Sequence, residues 1–443
     1  HNVRSSIDKY MLTDGMEPFI DLEKSHGSWL VDARDGKEYL DLFSMFASMP
    51  VGYNHPFVLD HSEMITKAAF NKPTNSDIYS TQMAEFVNTM GRIAQPEYLP
   101  HSFYIEGGGL AIENALKTAF DWKVRKNLEK GNGLLGSKII HFKECFHGRT
   151  GYTLSLTDSP DPRKTLYFPR FDWPRITNPK ITFPISTHLD DILAAERTAI
   201  SEIKDAFQKN KDDIAGIIIE PIQGEGGDNH FRPEFFKKLK TLSLENESLL
   251  IYDEVQTGIG ITGSMWAHQC LCNPECRACD NHCKDREPDI IGFGKKTQVC
   301  GIFVGKRIEE VKNNVFNESS RLNSTWGGNV VDMVRISLYL QIIENENLVE
   351  RAGTTGYFLL SKLNDIQNEF SDLVSNARGQ GLFAAFDLPD SDSRDQLANL
   401  ILDEGTIVLG SGGQSIRFRP HLNITEDEID HGIDIIKRSL HRM

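Results

Sequence analysis

Three short segments of the sequence carry residues that are suited to chemistry. A run of three glycines, Gly107 to Gly109, follows an apolar segment and opens directly into a predicted helix. Asp253 ends another apolar segment, and Lys295 and Lys296 come just after a third one, DIIGF. Glycines leave a helix N-terminus uncovered, so its N–H groups can approach a phosphate closely. An aspartate can pair with a cationic nitrogen, and a lysine amine can attack a carbonyl carbon.

Each of these features also has a structural explanation when it is taken alone. A triple glycine can be a flexible turn, an aspartate at a strand end can cap the following turn, and lysines are usually solvated. Taken together, a phosphate-binding turn, a strand-end Asp253 and a later strand-end lysine are the contacts that pyridoxal phosphate requires. The combination therefore predicts pyridoxal 5'-phosphate as a cofactor.

A second glycine pattern, Gly258 to Gly263, fits the dinucleotide-binding consensus G-x-G-x-x-G. That interpretation requires a following helix and then a strand that ends in an acidic residue about 20 positions later. The chain continues instead into GSMWAHQ and a cysteine-rich segment. We therefore do not interpret this pattern as a dinucleotide site.

The hydrophobic pattern predicts the elements that must position these residues. Short β-branched runs alternate with helical stretches over most of the chain, which is typical of an α/β protein with a mainly parallel sheet. In such open sheets, ligands bind at the carboxyl ends of the strands. The predicted strands are SFYIEG, KIIHF, IAGIIIEP, LLIYDEV, DIIGFG and GIFVG.

The pattern changes near residue 330, which predicts two domains. Residues 56–330 are expected to form a large α/β domain that binds the cofactor. Residues 331–443 are expected to form a smaller α+β domain, to which strand-like pieces of residues 1–55 are expected to add. A cleft between the two lobes is the expected site of ligand binding. Helices are predicted at 110–130, 233–246, 330–347 and 393–404, with a last one from Glu426.

The composition disfavours several classes of partner. The 443 residues hold 48 Lys plus Arg against 63 Asp plus Glu, a net charge of −15, so a nucleic acid is not expected to bind. The longest apolar runs are far shorter than the ~18 residues that a membrane helix needs, so no membrane association is expected. The chain has no apolar leader at its N-terminus, which predicts a cytoplasmic protein.

Along nearly its whole length, the chain resembles the class III aminotransferases, which are fold-type I pyridoxal phosphate enzymes. The shared landmarks are DEVQTG, a lysine six residues after the aspartate of PDI, STWGGN and IRFRP. Other runs are similar to the subfamily that acts on L-lysine: FYIEGGGLAIENALK, FHGRTGYTLSLT, FDWPRI, FGKKTQVCG and SRLNSTWGGN. The resemblance implies transfer of the ε-amino group of L-lysine to 2-oxoglutarate, giving 2-aminoadipate 6-semialdehyde and L-glutamate.

The resemblance implies two catalytic residues. Lys295, and not Lys296, would bond covalently to the cofactor, because Lys295 lies six residues after Asp289. The same amine would then move a proton as general acid and base. Asp253 would pair with the pyridine nitrogen and keep it protonated, so that the ring can withdraw electrons.

The resemblance also implies the remaining cofactor contacts. Phe146 would stack on the face of the ring, for which a flat aromatic side chain is suited, and Gln256 would lie near the phenolic oxygen. Gly108 and Gly109 would hold the phosphate, helped by Thr325 from the neighbouring subunit of a homodimer. Many relatives have a Ser or Thr in the glycine turn, so the all-glycine turn of this chain leaves more of the phosphate to Thr325.

Substrate-binding residues are implied in the same way. Arg149 would clamp the α-carboxylate of lysine, because a guanidinium fork matches a carboxylate. Arg417 and Arg419 share one face of a strand, so alternation cannot choose between them, and the family pattern favours Arg417. Glu225 would neutralise Arg417 while lysine is bound and would leave it when 2-oxoglutarate arrives. Asn323 and Glu225 are the candidates for holding the α-amino group of lysine.

A cysteine-rich segment between residues 270 and 283 is not explained by the family resemblance. Its regularly spaced members, Cys272, Cys276, Cys279 and Cys283, supply enough soft ligands for a structural zinc ion. Their spacing matches no standard pair of C-x2-C knuckles. A structural zinc site and a reduced, solvated loop therefore both stay open.

Other functions remain as alternatives. Another ω-amine donor, ornithine or 4-aminobutyrate, would be served by the same Glu225 and Arg417 pair, and the pocket depth between Arg149 and Lys295 would decide. An aminomutase on the same fold would need no 2-oxoglutarate. A binding protein without enzymatic activity is disfavoured, because Lys295 and Asp253 are both present.

Overall fold

The computed structural model describes residues 3–271 and 283–443, and the strands in these ranges form three sheets. The strands are β1 (Trp29–Val31), β2 (Glu38–Asp41), β3 (His101–Ile105), β4 (Lys138–Phe142), β5 (Arg175–Ile176), β6 (Ile214–Ile219), β7 (Leu249–Asp253), β8 (Ile290–Phe293), β9 (Cys300–Val304), β10 (Ser375–Gln380), β11 (Phe383–Asp387), β12 (Thr406–Ile407), β13 (Leu409–Ser411) and β14 (Ser415–Phe418).

Helices connect and cover the strands. They are α1 (Val3–Ile7), the short turn α2 (Ser44–Ala47), α3 (Pro56–Asp60), α4 (Ser62–Ala69), α5 (Thr81–Ile93), α6 (Gly108–Glu129), α7 (Gly151–Leu156), α8 (Ile185–Lys209), α9 (Pro233–Glu245), α10 (Val330–Asn345), α11 (Leu348–Glu369), α12 (Ser391–Asp403) and α13 (Glu426–Leu440). Single 3-10 turns lie at Pro162–Lys164, Ala267–Leu271, Lys284–Arg286, Lys295–Thr297 and Lys306–Glu310. Within the described ranges, none of the helices combines the length and apolar content needed to cross a bilayer.

The largest sheet has seven strands in the order β3-β9-β8-β7-β6-β4-β5. Its neighbouring strands are parallel, except where β9 pairs antiparallel with β3 and β8. All six strands predicted from the sequence lie in this sheet, which confirms the α/β class with a mainly parallel sheet. Since β6, β7 and β8 are adjacent and parallel, the residues at their carboxyl ends meet at one edge: Glu220, Asp253 and Lys295.

The central strands are continuous apolar runs because the sheet is covered on both faces. All six residues of β6 are buried. Ile218 belongs to an apolar cluster with Ile112 and Trp122 of α6, whereas Ile217 belongs to a separate cluster with Phe235 of α9. Successive side chains thus face opposite layers of helices, as strand geometry requires.

The two chain ends build the smaller sheets. β12 pairs parallel with β2, with Thr406 opposite Leu40, and completes the three-stranded sheet β1-β2-β12. The four-stranded sheet has the order β10-β11-β14-β13 and is antiparallel throughout. This arrangement confirms an α+β region formed by both chain ends, while the domain limits at residues 55 and 330 stay predictions.

Several helices depart from the sequence prediction, among them α8 and α10. The helical stretch predicted at 330–347 ends at Asn345, and α11 starts after Asn347, whose φ is +51°. A left-handed residue cannot continue a right-handed helix, so the chain changes direction there. Helix α8 was not predicted, although its buried residues Ile192, Ala199 and Ile203 recur at helical spacing.

Candidate active site

A cavity of about 260 Å³ lies at the carboxyl ends of β6, β7 and β8. Seven residues predicted from the sequence line it: Gly108, Gly109, Phe146, Glu225, Asp253, Gln256 and Lys295. Four others that the prediction did not assign to the site also line it: His147, Gly148, Glu220 and Val255. The strand ends, the start of α6 and the loop after β4 therefore converge on one space.

The N-terminus of α6 reaches this cavity without a side chain to cover it. The N-cap residue, Gly107, has φ +97° and makes no side-chain cap. A Cβ atom at Gly108 would lie 2.9 Å from Cγ1 of Val255, so a side chain at this position would collide with the loop that follows β7. The uncapped N–H groups and the positive end of the helix favour an anion. This part of the cavity fits the phosphate of pyridoxal phosphate.

A buried histidine holds Asp253, the last residue of β7. Nδ1 of His147 and Oδ2 of Asp253 are 2.7 Å apart, and the N–H of Val255 donates to Oδ1 at 3.0 Å. Burial opposes protonation of His147, but Cys145 and the hydrogen bond with Asp253 raise its pKa well above the usual value. His147 and the N–H of Val255 thus fix the orientation of the Asp253 carboxyl group, which is the group expected to face a cationic ring nitrogen.

Glu220 is a second buried carboxyl group at this edge of the sheet. Its Oε1 accepts a hydrogen bond from the N–H of Phe146 at 2.9 Å, and its Oε2 accepts one from the N–H of Gly224 at 3.0 Å. Burial raises the pKa of Glu220 to about 7, while His147 lowers it in part and Asp253 adds to the increase. Glu220 thus joins the loop that carries Phe146 to the turn that precedes Glu225.

The two adjacent lysines have different surroundings. Lys295 lines the cavity, whereas the buried Lys296 donates from Nζ to the carbonyl of Gln256 at 2.6 Å and to that of Ala47 at 3.3 Å. Burial, followed by the positive charge of Arg417, lowers the pKa of Lys295 to about 8. A lowered pKa increases the fraction of neutral amine that can attack an aldehyde. The structure therefore places Lys295, and not Lys296, at the cavity.

The two candidate arginines of the last strand are separated by their partners. Arg419 donates to Asp228 at 2.8 and 2.7 Å and to Oε1 of Gln256 at 3.0 Å, and its guanidinium lies 3.2 Å from the ring centroid of Phe383. Arg417 is also buried, but its Nη1 has no hydrogen-bond partner. Burial, followed by the charge of Arg419, lowers the pKa of Arg417 to about 10. An unpaired buried cation is costly, so Arg417 is the arginine that retains capacity for a carboxylate.

The ion pair expected between Glu225 and Arg417 is not formed in the described chain. Glu225 pairs instead with Nζ of Lys164, and Oγ of Ser159 lies 3.5 Å from the same carboxylate oxygen. Lys164 keeps about a quarter of its side chain exposed (26%), whereas Arg417 is almost fully buried. Pairing with the partly solvated cation removes less water from the two charges, which gives a physical reason for this choice.

Four predicted residues do not line the cavity: the buried Arg417, and Arg149, Asn323 and Thr325 at the surface. Arg149, Asn323 and Thr325 are exposed, and Oδ1 of Asn323 accepts a hydrogen bond from the N–H of Ser324 at 2.8 Å. The contacts predicted for Arg149 and Asn323 require a substrate, and the contact predicted for Thr325 requires a second subunit. Their roles therefore stay predictions.

The predicted zinc ligands fall mostly outside the described residues. Cys272, Cys276 and Cys279 lie in the segment that the structure does not describe, and Cys283 is the first residue after it. Among residues 3–271 and 283–443, no group of His, Cys, Asp and Glu side chains is arranged to hold a metal ion. The zinc site stays a prediction.

Three side chains that contact the predicted site were not assigned to it from the sequence. His147 directly follows Phe146, and Glu220 follows a buried strand just as Asp253 ends one, so both positions carried a signal. Lys164 lies in the polar run DSPDPRK, where nothing in the sequence distinguishes it from a solvated lysine. Only its contact with Glu225 in the folded chain draws attention to it.

Known proteins resemble this chain over its whole length. The family model described as aminotransferase class-III matches residues 10–440. The L-lysine-epsilon aminotransferase of Mycobacterium tuberculosis is 46% identical over 445 residues, which cover 99% of this chain and 95% of that protein. The protein of the same name from Streptomyces clavuligerus is 43% identical over 443 residues, covering 99% of this chain and 94% of that protein.

A solved structure shows the same similarity in three dimensions. The lysine aminotransferase from M. tuberculosis matches with a TM-score of 0.94 at 46% identity, covering 100% of this chain and 99% of that chain. The match therefore includes the seven-stranded sheet and the smaller sheets formed by the two chain ends. Similarity of this extent fixes both the fold and the family.

Proposed function

The chain belongs to the class-III aminotransferase family, and from this premise we propose that it transfers the ε-amino group of L-lysine to 2-oxoglutarate. The products are 2-aminoadipate 6-semialdehyde and L-glutamate. The observation that carries the proposal is the single cavity that gathers Lys295, Asp253 and the open N-terminus of α6. The full-length similarity to relatives that are named for L-lysine supports this amino acid as the donor.

The residues of the cavity fit pyridoxal phosphate, the cofactor expected for this family. When bound, it supplies an aldehyde that carries the amino group between substrates and a ring that withdraws electrons from the reacting carbon. The start of α6 would hold the phosphate, Phe146 would face the ring and Gln256 would lie near its hydroxyl group. Asp253, held by His147, would keep the ring nitrogen protonated.

Lys295 is the group that moves protons. Its pKa, lowered to about 8 by burial and by Arg417, provides neutral amine near physiological pH. That amine removes a proton from the ε-carbon of the donor as a general base. With the acceptor bound, it delivers a proton to the carbon that becomes the α-carbon of glutamate. Because one product leaves before the second substrate binds, we expect ping-pong kinetics.

Two cationic residues account for the binding of two differently charged substrates. With L-lysine bound, Arg149 would hold the distant α-carboxylate, and Glu225 would turn to Arg417 to neutralise it. With 2-oxoglutarate bound, the carboxylate beside the ketone would take the place of Glu225 on Arg417, and the distal carboxylate would reuse Arg149. The unpartnered Nη1 of Arg417 supports this assignment, since it leaves a donor for a ligand carboxylate.

We further propose that the enzyme acts as a homodimer in which Thr325 of each subunit contacts the phosphate in the neighbouring site. The support is the exposure of Thr325 together with the absence of any hydroxyl side chain in the triple glycine. The cytoplasmic location inferred from the sequence is part of the same proposal.

A half-reaction tests the function directly. We expect the purified, cofactor-loaded protein to lose the absorbance of its bound cofactor aldehyde when it is mixed with L-lysine alone. One equivalent of an aldehyde product should form and should be trapped by 2-aminobenzaldehyde. Addition of 2-oxoglutarate should then restore the original spectrum and release L-glutamate.

The alternatives give different outcomes in the same experiment. Conversion by ornithine or 4-aminobutyrate but not by L-lysine would overturn the donor and leave the reaction class intact. Rearrangement of the donor without any requirement for 2-oxoglutarate would indicate an aminomutase. A protein that takes up no cofactor would overturn the enzymatic interpretation.

A further inference from the structure

The side chain of Glu225 contacts a cation that the sequence analysis did not assign to the site. Its carboxylate pairs with Nζ of Lys164. The side chain of Lys164 is 26% exposed and that of Glu225 is 23% exposed. Glu225 itself lines the cavity. Lys164 therefore approaches the active site through Glu225.

Lys164 is also close to the residue expected to cover the ring of the cofactor. Its Nζ lies 5.8 Å from the ring centroid of Phe146. It is the last residue of the 3-10 turn Pro162–Lys164, which is followed by the exposed side chains of Leu166 and Tyr167. Lys164 is thus carried by a surface loop whose inner side meets the mouth of the cavity.

The backbone of Glu225 is fixed, so only its side chain is free to change partner. The carbonyl of Glu225 accepts a hydrogen bond from the N–H of Gly412 at 2.8 Å. The next residue, Gly226, packs against the carbonyl of Glu144, and a Cβ atom at Gly226 would lie 1.9 Å from that oxygen. Rotation of the Glu225 side chain is therefore the simplest way to exchange one cation for another.

Arg417 is a second buried cation within the influence of Glu225. Gly412, which holds the backbone of Glu225, lies in the turn between β13 and β14, and β14 carries Arg417. Burial lowers the pKa of Arg417, and the negative charge of Glu225 opposes that change. Nη1 of Arg417 has no partner while Glu225 is paired with Lys164. The carboxylate of Glu225 can therefore pair with either Lys164 or Arg417. Arg417 is free to bind the carboxylate of a ligand only while Glu225 pairs with Lys164.

We infer that Lys164 is a specificity-determining residue, which holds Glu225 away from Arg417 and so keeps Arg417 open for the carboxylate beside the ketone of a 2-oxo acid. This inference rests on the proposed function, because it assumes that Arg417 binds the acceptor. Without Lys164, Glu225 can turn to Arg417, where it competes with the acceptor. Binding of L-lysine requires the opposite state, with Glu225 on Arg417, so loss of Lys164 does not weaken it.

Binding of glutarate, a dicarboxylate without a reactive ketone, tests the inference apart from turnover. We expect Lys164→Met to raise the Kd of glutarate for the cofactor-loaded enzyme about fivefold by calorimetry, the size expected for loss of a half-buried ion pair. The KM for the acceptor should rise by a similar factor, whereas the KM for L-lysine should stay unchanged or fall, because L-lysine binds with Glu225 on Arg417. Lys164→Arg keeps the positive charge, so it should leave the Kd of glutarate and the KM for the acceptor close to their wild-type values.

A matched control comes from a second lysine near the site. Lys180 pairs with Glu144 at 2.7 Å and has no contact with Glu225, so Lys180→Met should leave the Kd of glutarate unchanged. Lys164→Met combined with Glu225→Gln distinguishes an indirect effect from a direct one. In the Glu225→Gln background, Lys164→Met should change the Kd of glutarate less than about twofold, because the competing carboxylate is gone.

Three results would overturn the inference: wild-type enzyme that does not bind glutarate, an unchanged Kd in Lys164→Met, or an equal loss with and without Glu225. The last result would mean that Lys164 binds the dicarboxylate itself. Failure of the proposed function is recognised separately, because wild-type enzyme would then not react with L-lysine at all. If the wild-type enzyme reacts with L-lysine and Lys164→Met does not change the Kd of glutarate, only the role inferred for Lys164 is wrong.

Discussion

The floor of the active-site cavity, formed by Glu220, Asp253 and Lys295, differs in construction from two recognition residues outside it, Arg149 and Thr325, which we call the rim residues. The floor residues follow or end adjacent parallel strands and line the cavity. The rim residues lie on exposed loops and do not line it. The floor carries the groups expected to react, and the rim carries groups expected to recognise a ligand or complete a neighbouring site.

The floor and rim residues differ in how the surrounding chain fixes their positions. Asp253 pairs with Gly292 across two parallel strands, and the N–H of Glu254 donates to the carbonyl of Gly292 at 2.8 Å, so the backbone itself sets the distance between the strand ends. No comparable network positions Arg149 among the described residues. A reacting group must be oriented before the substrate arrives, whereas a recognition group can gain its partner on binding.

The largest expected effect separates two neighbouring lysines of the floor. Lys295→Ala should reduce single-turnover conversion of L-lysine by at least about a thousandfold, because it removes both the covalent attachment and the proton transfer. Lys296→Met is the matched control, since its amine is used by the carbonyls of Gln256 and Ala47. It should lower thermal stability and retain the covalently bound cofactor. Equal losses of conversion in both variants would contradict the assignment.

The next effect concerns the rim. Arg149→Gln should raise the KM for L-lysine about tenfold and change kcat little, because a carboxylate contact made in both the ground and transition states contributes to binding alone. Arg163 is a suitable control on a nearby loop, since it is 86% exposed and pairs with Asp161. Steady-state kinetics of Arg149→Gln and Arg163→Gln would reveal the difference. A fall in kcat comparable to that of Lys295→Ala would place Arg149 among the floor residues.

The smallest expected effect is a shift with pH. Attachment of the cofactor to cofactor-free protein requires the neutral amine of Lys295, so its rate should rise with pH and reach half its maximum near pH 8, not near the ordinary lysine pKa of 10.5. Arg417→Met removes a repulsive charge, raises the pKa of Lys295 and should move the midpoint upward. Arg149→Gln should leave it in place. Stopped-flow absorbance measures each rate, and a midpoint common to wild type and Arg417→Met would refute the coupling.

The sequence alone was sufficient for the sheet and for most of the floor. Buried parallel strands are continuous apolar runs, and the residues after such runs collect at one edge, which is why Asp253 and Lys295 were found together with the glycine turn of α6. Helix limits were less accurate, because the break at Asn347 depends on one left-handed residue. The segment that carries Cys272, Cys276 and Cys279 lies outside the described residues and leaves its prediction untested.

The amino-acid sequence by itself determined local features. These are the strands, helix α6 that begins at Gly108, and the types of reacting groups at the ends of these elements. The tertiary structure decided which distant groups meet, namely His147 with Asp253, Lys164 with Glu225, and Arg419 with Asp228. These partners are separated by 61 to 191 positions along the chain. Hydrophobic periodicity does not record such contacts, because they depend on how loops pack and on which buried charge is left without a partner.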